Sequence, residues 1–465
     1  YYLMTGQGVQ YAGDFNLVEA LLISPTGTTT DLLTDVVIIE MNIFEDMFKS
    51  SITGSIIVTD TNDIVSKVPI VGQEYLTLKI RTPSLTLDRD IIDFTDNPFA
   101  IYKVGFRKEV TSGGQTYELK FVSQEAIKNS QRKISKSYSE RKGNIGDIVF
   151  DLLSEDKNGV QTSKEVFVEP TTGNRIYVVP NVNPFSAITT LSNEAISKSQ
   201  DGNNPSPHYF FFENKNGIHF RSLQSLYEQD TKELFHVGDM GFDEESLEGD
   251  PESGKLIQNF RRILAYEIRT RKDLFLNSAS GMLGGRLITH DIYKKNYDVR
   301  EYNYLDDDDF GQHKRLSDEG DAFRVYNVDR FEDTDFSKAK THLVPISKTT
   351  KDFDAQYTKS DKLDGYSDPS RLQETFLQRQ SRLMEIGNGI SIQMSVNGRT
   401  NLTVGDIIFI TVPSIRGSDT ENPLYTGRYL IVKLRHTFSK PLRQHEITME
   451  VVRDNSPSDY PSESN

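Results

Sequence analysis

Two stretches of this chain, one near each end, follow the same order of β-type segments. The first spans residues 71–123 and the second spans residues 404–452. In each stretch, Val-Gly followed by an acidic or amide residue opens a strand, an Asn-Pro pair precedes the next strand, and a hairpin closes the unit. Small barrels share generic features, but an ordered succession of matching segments favours two related barrels over a chance likeness.

Apolar and polar residues alternate through the first 125 residues. Ile52, Ile56 and Val58 share one face of a strand, and further period-two runs follow between breaks of Gly, Pro and Asp or Asn. This pattern predicts antiparallel strands with one buried face, arranged as a small barrel or sandwich. Because Gly54 lies in the apolar register without a side chain, it predicts a bulge or a close backbone approach.

Helical periodicity appears between the two β regions. Residues 145–153 form one apolar stripe, and a second stripe follows Asn183 as N-cap and Pro184 in the first turn. Asn216-Gly217 predicts the turn of a hairpin. A longer helix is expected to begin at Pro369 and to end at Gly387.

The sequence therefore predicts an α+β, β-rich protein in which two related small antiparallel barrels flank an α+β middle region. The predicted parts are a first barrel domain at 1–125, an α+β middle domain at 126–239, a second mixed region at 240–388 with a helix near 369–386, a second barrel domain at 389–454 and a flexible tail at 455–465.

Composition excludes several classes of protein. The net charge of −15 disfavours nonspecific nucleic-acid binding, which depends on Lys and Arg clusters. The absence of Cys excludes a disulfide framework, a thiol nucleophile and a Cys-based metal site. No signal peptide is expected, and the richest apolar run, residues 36–44, is too short to span a membrane, so a soluble protein is predicted.

The oxygen-rich segment at Asp60, Asn62 and Asp63 is the first candidate cation site. An EF-hand loop that began at Asp60 would need an oxygen ligand at its fifth position, where Ile64 stands. Asp and Asn also favour turns, because their side chains bond their own backbone. We therefore expect a turn at the end of a strand.

The remaining candidates also favour structural roles. The eight His residues form no metal-binding pair by spacing, and His436 is expected to be a packed or rim side chain. Residues 306–309 are four consecutive Asp in an expected solvated loop, with a role at a trimer face or in divalent-ion binding as the alternative. Residues 280–286 lack the Lys of a phosphate loop and predict a turn. No catalytic, cofactor-binding or metal residue is predicted, and no cofactor.

A resemblance to a known family rests on segments that follow one another over most of the chain. In this order, the segments resemble the baseplate hub proteins of contractile-tailed bacteriophages, which are related to the hub portion of type VI secretion spike proteins. The segments are residues 44–83, 117–139, 178–197, 209–227, 280–297, 379–413 and 427–438.

The resemblance implies a structural role without enzymatic activity. Three chains would form a ring that joins the tail tube, with near-sixfold symmetry, to the threefold central spike and lets DNA pass without specific binding. The implied partners are two further copies of the chain, the tail tube protein, the spike protein and baseplate wedge or other hub proteins, with no membrane insertion. The implied location is the virion tail baseplate, assembled in the host cytoplasm.

Two alternatives stay open at this point. One is the hub of a bacterial contractile injection system, which has the same mechanical role. The other is a secreted glycan-binding or glycan-cleaving β protein, against which the absence of Trp and of a legible acid pair counts.

Overall fold

The computed structural model describes most of the two β regions and parts of the segments between them. The described residues are 11–64, 70–83, 90–110, 113–139, 143–154, 159–174, 177–198, 206–238, 251–270, 273–291, 296–303, 316, 338–346, 369–414, 417–422 and 424–454.

The first eight strands form one curved sheet around an apolar core, here called the first barrel. Alternating residues such as Ile56 and Val58 point into this core, as their period of two predicts. The order along the sheet is β2-β1-β5-β7-β8-β4-β3, with β6 beside β5. The strands are β1 (Asn16–Ile23), β2 (Thr29–Asp31), β3 (Val37–Asp46), β4 (Thr53–Asp60), β5 (Tyr75–Arg81), β6 (Ile92–Asp93), β7 (Phe99–Val110) and β8 (Gly114–Ser123).

The middle domain follows directly and packs helices and short strands around its own core. Its β12–β13 hairpin carries most of the contacts with the rest of the molecule described below. The elements are α1 (Gln124–Gln131), β9 (Ile134–Tyr138), α2 (Ile145–Leu153), β10 (Val166–Val168), β11 (Tyr177–Val182), α3 (Pro184–Ser192), β12 (Tyr209–Asn214), β13 (Gly217–Ser222) and α4 (Leu223–Tyr227).

The second barrel is a closed ring of six strands, in the order β23-β20-β14-β15-β19-β24 with β24 pairing back to β23. Between β15 and β19 the chain forms a small three-stranded sheet and a long helix. The elements are β14 (Thr231–Val237), α5 (Pro251–Arg261), β15 (Arg262–Thr270), α6 (Leu274–Ser280), β16 (Gly284–Asp291), β17 (Asn296–Asn303), β18 (Thr341–Ile346), α7 (Pro369–Asn388), β19 (Ile390–Asn397), β20 (Ile407–Thr411), β21 (Pro413–Ser414), β22 (Gly417–Glu421), β23 (Gly427–Ser439) and β24 (Gln444–Arg453).

The two barrels follow the same path. Strands β1, β3, β4, β5, β7 and β8 correspond to β14, β15, β19, β20, β23 and β24, because both sets have the same chain order and share five pairings along the sheet. The one difference among the described residues is that β14 also pairs with β15, whereas β1 does not pair with β3. The first strands of the two stretches that match in sequence, 71–123 and 404–452, are β5 and β20. The predicted α+β, β-rich class with two related barrels is confirmed.

Two β-bulges also coincide between the barrels. A bulge adds one residue to a strand, and it fixes the register of its neighbours. The register shifts lie at Ile38/Glu40 and Ile263/Ala265 in one strand pair, and at Ile101/Lys103 and Ile431/Lys433 in the other. These coincidences align the two barrels residue by residue, and below we call the matched positions equivalent.

The domain limits drawn from the sequence stay a prediction, but the second barrel draws on more of the chain than residues 389–454. Strands β14 and β15 lie in the regions that the sequence analysis gives to the middle domain and to the second mixed region. Strand β14 is parallel to both of its neighbours, β20 and β15. Parallel partners lie far apart in the chain, so no local hairpin signal reveals them.

The predicted start of helix α3 is confirmed, with Asn183 as the N-cap residue and Pro184 in the first turn. The Asn183 side chain makes no capping bond, and its amide donates to the carbonyl oxygens of Asn129 and Arg132 at 2.7 and 2.9 Å. Helix α7 passes through Gly387 and ends at Asn388, so the predicted end at Gly387 is wrong. The hairpin turn is Lys215-Asn216, since Gly217 already pairs with Asn214.

Candidate functional site: the junction between the two barrels

One strand, β23, belongs to both barrels. Its first residues pair with β20 inside the second barrel, and its last seven pair antiparallel with β3 of the first barrel, from Lys433 opposite Asp46 to Ser439 opposite Glu40. A continuous ladder of backbone hydrogen bonds therefore joins the two barrels. We call this pairing of β3 with β23 the junction.

The exposed side of the junction is held by polar and aromatic contacts around two residues of β23. The Nε of Arg435 and the hydroxyl of Thr437 both donate to Oδ1 of Asn42, at 3.0 and 3.1 Å. The Arg435 guanidinium lies 5.6 Å from the ring centre of Phe44 and 3.6 Å from the carboxylate of Glu40. These contacts fix the register between the strands on the solvent side.

On the inner side, each barrel places a side chain in the core of the other. Phe438 of β23 is buried in the core of the first barrel, with its ring centre 5.2 Å from that of Phe15. Met47, which follows β3, is buried in the core of the second barrel, and its N–H donates to the carbonyl of Val432 at 2.9 Å. Separation of the barrels would expose both side chains.

A buried carboxylate, Glu45, lies at the centre of the junction. It accepts hydrogen bonds from the Thr403 hydroxyl, from the N–H of Val404 at 2.9 Å and from the N–H of Lys215 at 3.2 Å. Burial raises the pKa of Glu45 to about 7, since these donors only partly replace water. The nearby Lys215 is half-buried, and desolvation lowers the pKa of its ammonium to about 8.

The β12–β13 hairpin of the middle domain is fixed to both barrels at its tip. On the first barrel, the Glu213 carboxylate accepts from the Ser123 hydroxyl at 2.8 Å and from the N–H of Ile52 at 3.1 Å. On the second barrel, the amide of Asn214 donates to the carbonyl of Val404 at 3.0 Å. The hairpin thus reinforces the junction from a third side.

A buried ion cluster supports this attachment. The Lys164 ammonium contacts the carboxylates of Glu213 and Glu125, and all three side chains are at most 6% exposed. The two carboxylates raise the pKa of Lys164 against the opposing effect of its burial. Loss of one partner in such a cluster leaves a buried charge uncompensated, which makes the cluster a fixed structural element.

Beside the hairpin lies a cleft of about 630 Å³ between the middle domain and the two barrels. His219 is stacked in it between Phe167 and Phe212, with ring centres 4.7 and 5.0 Å apart, and its Nε2 lies 2.9 Å from Oδ1 of Asn214. Burial lowers the pKa of His219 to about 3, so the imidazole is neutral at physiological pH. The stack fixes the ring as part of the packing.

The first candidate cation site is a turn, as predicted. The two oxygens of the Asp60 carboxylate accept from the N–H of Asn62 at 2.9 Å and of Ile64 at 2.7 Å. The amide of Asn62 donates to the carbonyl of Asp35 at 2.9 Å. Both side chains are therefore used in holding the loop after β4.

The close approach predicted at Gly54 is confirmed. A Cβ at this position would lie 2.2 Å from Cζ of Phe121 and 2.4 Å from the carbonyl oxygen of Asn42.

His436 is fully buried, with its Nδ1 2.9 Å from Nε2 of His445, so the packed position predicted for it is also confirmed.

The other candidates have different outcomes. The turn predicted within residues 280–286 lies at 281–283, because helix α6 ends at Ser280, Gly281 follows in the left-handed conformation and β16 starts at Gly284. The four Asp at 306–309 and the tail at 455–465 lie outside the described residues. Within the part of the chain that the structure describes, no three His, Asp or Glu side chains are grouped as metal ligands. None of the described helices combines the length and apolar character needed to cross a membrane.

Sequence reasoning missed the buried charges at the junction. Glu45, Lys164 and Glu213 look like ordinary solvent-facing residues, because each lies next to polar neighbours in the chain. The only available signal was the position of Glu213 after three consecutive Phe in a strand, which places a carboxylate beside an apolar layer.

Comparison with known proteins identifies relatives of the predicted kind. The chain is 22% identical over 331 residues, 70% of each protein, to a protein of Vibrio phage KVP40 described as a probable baseplate hub protein, gp334. No family model matches the chain.

Solved structures include similar chains of low sequence identity. A tail protein from Neisseria meningitidis MC58 covers 96% of this chain and is itself covered completely, with 10% identity and a TM-score of 0.49. The 43 kDa tail protein of prophage MuSo2 from Shewanella oneidensis gives 94% and 100% coverage, 9% identity and a TM-score of 0.49. The E. coli c3393 protein, a type VI secretion component, gives 92% and 76% coverage, 10% identity and a TM-score of 0.42.

The coarse prediction of a baseplate hub or tail protein of the phage or type VI secretion kind is therefore confirmed, and the chain is similar to the baseplate hub proteins of phage tails.

Proposed function

We propose that three copies of this chain form a ring at the end of the tail tube. Each copy contributes two barrels, so the ring presents six similar units to the tube protein while its overall symmetry stays threefold toward the central spike. The ring joins the two parts of the tail and leaves a channel for DNA. In the virion it occupies the baseplate, beside wedge or other hub proteins, after assembly in the host cytoplasm.

The equivalence of the two barrels is the observation that carries this proposal. Six strands correspond in chain order and in five pairings, and two bulges fall at equivalent positions. Homo-oligomers close by cyclic symmetry, and a threefold ring can match a sixfold tube only if each chain supplies two like surfaces. The junction supports the same role, because a buried, hydrogen-bonded contact holds the two barrels of one chain at a fixed angle.

Charge supports the passage of DNA. The chain carries a net charge of −15, and an acidic channel wall repels phosphate, so DNA moves through without binding. We also propose that the chain acts by assembly and without catalysis. The buried ionisable groups named above, Glu45, Lys164, Glu213 and His219, are each held by contacts between elements of the fold, which supports a structural use.

The test is the mass of the purified protein by light scattering, combined with electron microscopy of isolated particles. We expect a trimer with a central opening, found also in the baseplate of virions. A monomer at all concentrations, together with absence from the baseplate, would overturn the proposal. Turnover of bacterial wall or surface glycans by the purified chain would overturn the proposed lack of catalysis.

A further inference from the structure

We propose that neighbouring chains of the ring join by antiparallel pairing of strand β15 of one chain with strand β7 of the next. This contact would repeat, between chains, the pairing of β3 with β23 that forms the junction within each chain. The inference rests on the proposed ring and names the surface that closes it, with a second copy of the chain as the occupant.

The equivalence of the barrels leads to this pairing. Strand β15 corresponds to β3, and strand β7 corresponds to β23. In a ring of six like units, each barrel offers the edge of one type to the edge of the other type on the next barrel. The junction uses β3 and β23 inside the chain, so β15 and β7 are left to form the same contact with neighbouring copies.

Both strands have a long edge without a partner among the described residues. Strand β15 pairs with β14 only at Arg262 and Ile263, and beyond that point it pairs on one side, with β19. Strand β7 pairs with β5 only at Phe99 and Ala100, and the N–H of Ile101 still donates to the carbonyl of Glu74. Beyond Ile101, strand β7 pairs on one side, with β8. An open strand edge of this length is a template for a strand of another chain.

Large apolar side chains on these strands are exposed. Tyr102 and Phe106 of β7 are 48% and 53% exposed, and Leu264 and Tyr266 of β15 are 47% and 43% exposed. These four side chains lie on the two strands whose edges lack a partner, so pairing of the strands between chains would cover apolar surface.

The register of the junction predicts which residues meet between chains. Within the chain, Thr437 lies opposite Asn42 and donates to it. The equivalent positions hold Lys108 on β7 and Glu267 on β15. The pairing between chains therefore places an ammonium opposite a carboxylate, where the junction has a hydrogen bond.

A second contact of the junction, between an arginine and an aromatic ring, is expected between chains with the two residue types on opposite strands. Within the chain, Arg435 of β23 lies over the ring of Phe44 of β3. The equivalent of Phe44 is Arg269 of β15. The bulge of β7 between Val104 and Arg107 leaves two residues, Gly105 and Phe106, at the position equivalent to Arg435, and Phe106 is the aromatic one. An arginine thus meets an aromatic ring at the same place, with the two residue types on opposite strands.

Cysteine cross-linking tests this pairing, because the chain contains no Cys of its own. The double variant Lys108→Cys, Glu267→Cys places thiols opposite each other on adjacent strands, within disulfide range. On oxidation we expect a covalent trimer on a non-reducing gel. The variant Asn42→Cys, Thr437→Cys is the matched control, which should close a disulfide within the monomer. The variant Lys108→Cys, Tyr297→Cys reports random collision and should stay uncross-linked.

Charge reversal at these two positions tests the same pairing of β15 with β7 without a covalent bond. Glu267 and its neighbour Arg269 are 65% and 51% exposed and 2.9 Å apart, so reversal of Glu267 costs the monomer little. Glu267→Lys and Lys108→Glu should each raise the concentration at which half of the trimer dissociates by about tenfold. The double exchange should return it to within about threefold of the wild type.

The outcomes distinguish a failure of the proposed strand pairing from a failure of the proposed trimeric ring. A wild-type trimer with the expected cross-link and rescue supports both. A wild-type trimer that gives no cross-link, while the control within the monomer oxidises, overturns the pairing of β15 with β7 and leaves the ring standing. A wild-type protein that is monomeric at all concentrations overturns both.

Discussion

The two barrels share one strand path and differ in how the path ends. The second barrel closes on itself, because β14 is parallel to both β20 and β15. In the first barrel the corresponding strand β1 is antiparallel to β5, and among the described residues it does not pair with β3. The sheet instead continues from β3 into β23 of the second barrel. The shared strands carry the repeated architecture, while the strands that differ decide what each barrel is joined to.

The cores of the two barrels differ at one pair of facing residues, and this difference leads to the largest expected effect of a mutation. Gly54 lies opposite Phe121 in the first barrel, and at the equivalent positions Ile392 lies opposite Val451 in the second. A small and a very large residue therefore fill the space that two medium-sized residues fill in the other barrel.

Gly54→Val should strongly destabilise the first barrel. The new side chain would meet the ring of Phe121 and the backbone carbonyl of Asn42, and overpacking of this kind costs about 3 kcal/mol or more. The matched change Ile392→Val puts the same residue at the equivalent position, at a cost of about 1 kcal/mol. Urea unfolding of both variants measures the difference. Equal losses would contradict the assigned equivalence of the two cores.

The buried Glu45 at the junction has no acidic equivalent, because β15 carries Thr270 at the same position. Burial raises the pKa of Glu45 to about 7 from an ordinary 4.5, so its contribution to stability is present below pH 4.5 and is lost as the pH rises through 7. In Glu45→Gln, the decrease in the free energy of unfolding as the pH rises should be smaller by up to about 3 kcal/mol. Unfolding at pH 5 and pH 8 measures it, and an unchanged pH dependence in the variant would contradict the assignment.

The buried pair of His436 and His445 gives the opposite pH dependence of stability. Burial lowers the pKa of His436 to about 3 and that of His445 well below its ordinary value, so their contribution is present above pH 6.5 and is lost as the pH falls. The first barrel has Gln115 in place of His445. His445→Gln should reduce the loss of stability between pH 6.5 and pH 5 by about 2 kcal/mol. Parallel acid profiles of variant and wild type would disprove this role.

The smallest effect is expected at a surface pair. Lys433 and Glu450 lie 2.9 Å apart across β23 and β24, and the equivalent positions in the first barrel are Lys103 and Lys120. Glu450→Lys copies the first barrel into the second. Because both side chains are partly exposed, thermal unfolding should show a loss below about 1 kcal/mol. A loss several times larger would mean that the exposed face of the second barrel is not equivalent to that of the first.

The sequence predicts the repeated strands because their signal is local. Alternation at Ile56 and Val58, turn residues and the order of segments suffice for β4, β5, β7, β8 and their counterparts. The pairings that close or join the barrels could not be predicted from the sequence, because β14 pairs in parallel with distant partners and the pairing of β3 with β23 spans most of the chain.

The junction was missed for an electrostatic reason. Glu45 is hydrophilic, and a carboxylate is rarely buried unless donors surround it. Its donors come from Thr403, Val404 and Lys215, which are far away in the chain, so only the folded structure reveals why the position is buried.

The most direct test of the account is a density map of the assembled ring on the tail tube. If the barrels are equivalent units, the rotation that superposes the first barrel of a chain on the second should lie along the threefold axis and measure about 60°. Strands β5 and β20 should then occupy equivalent places against the tube. A rotation axis inclined to the threefold axis, or barrels at different distances from it, would contradict the account.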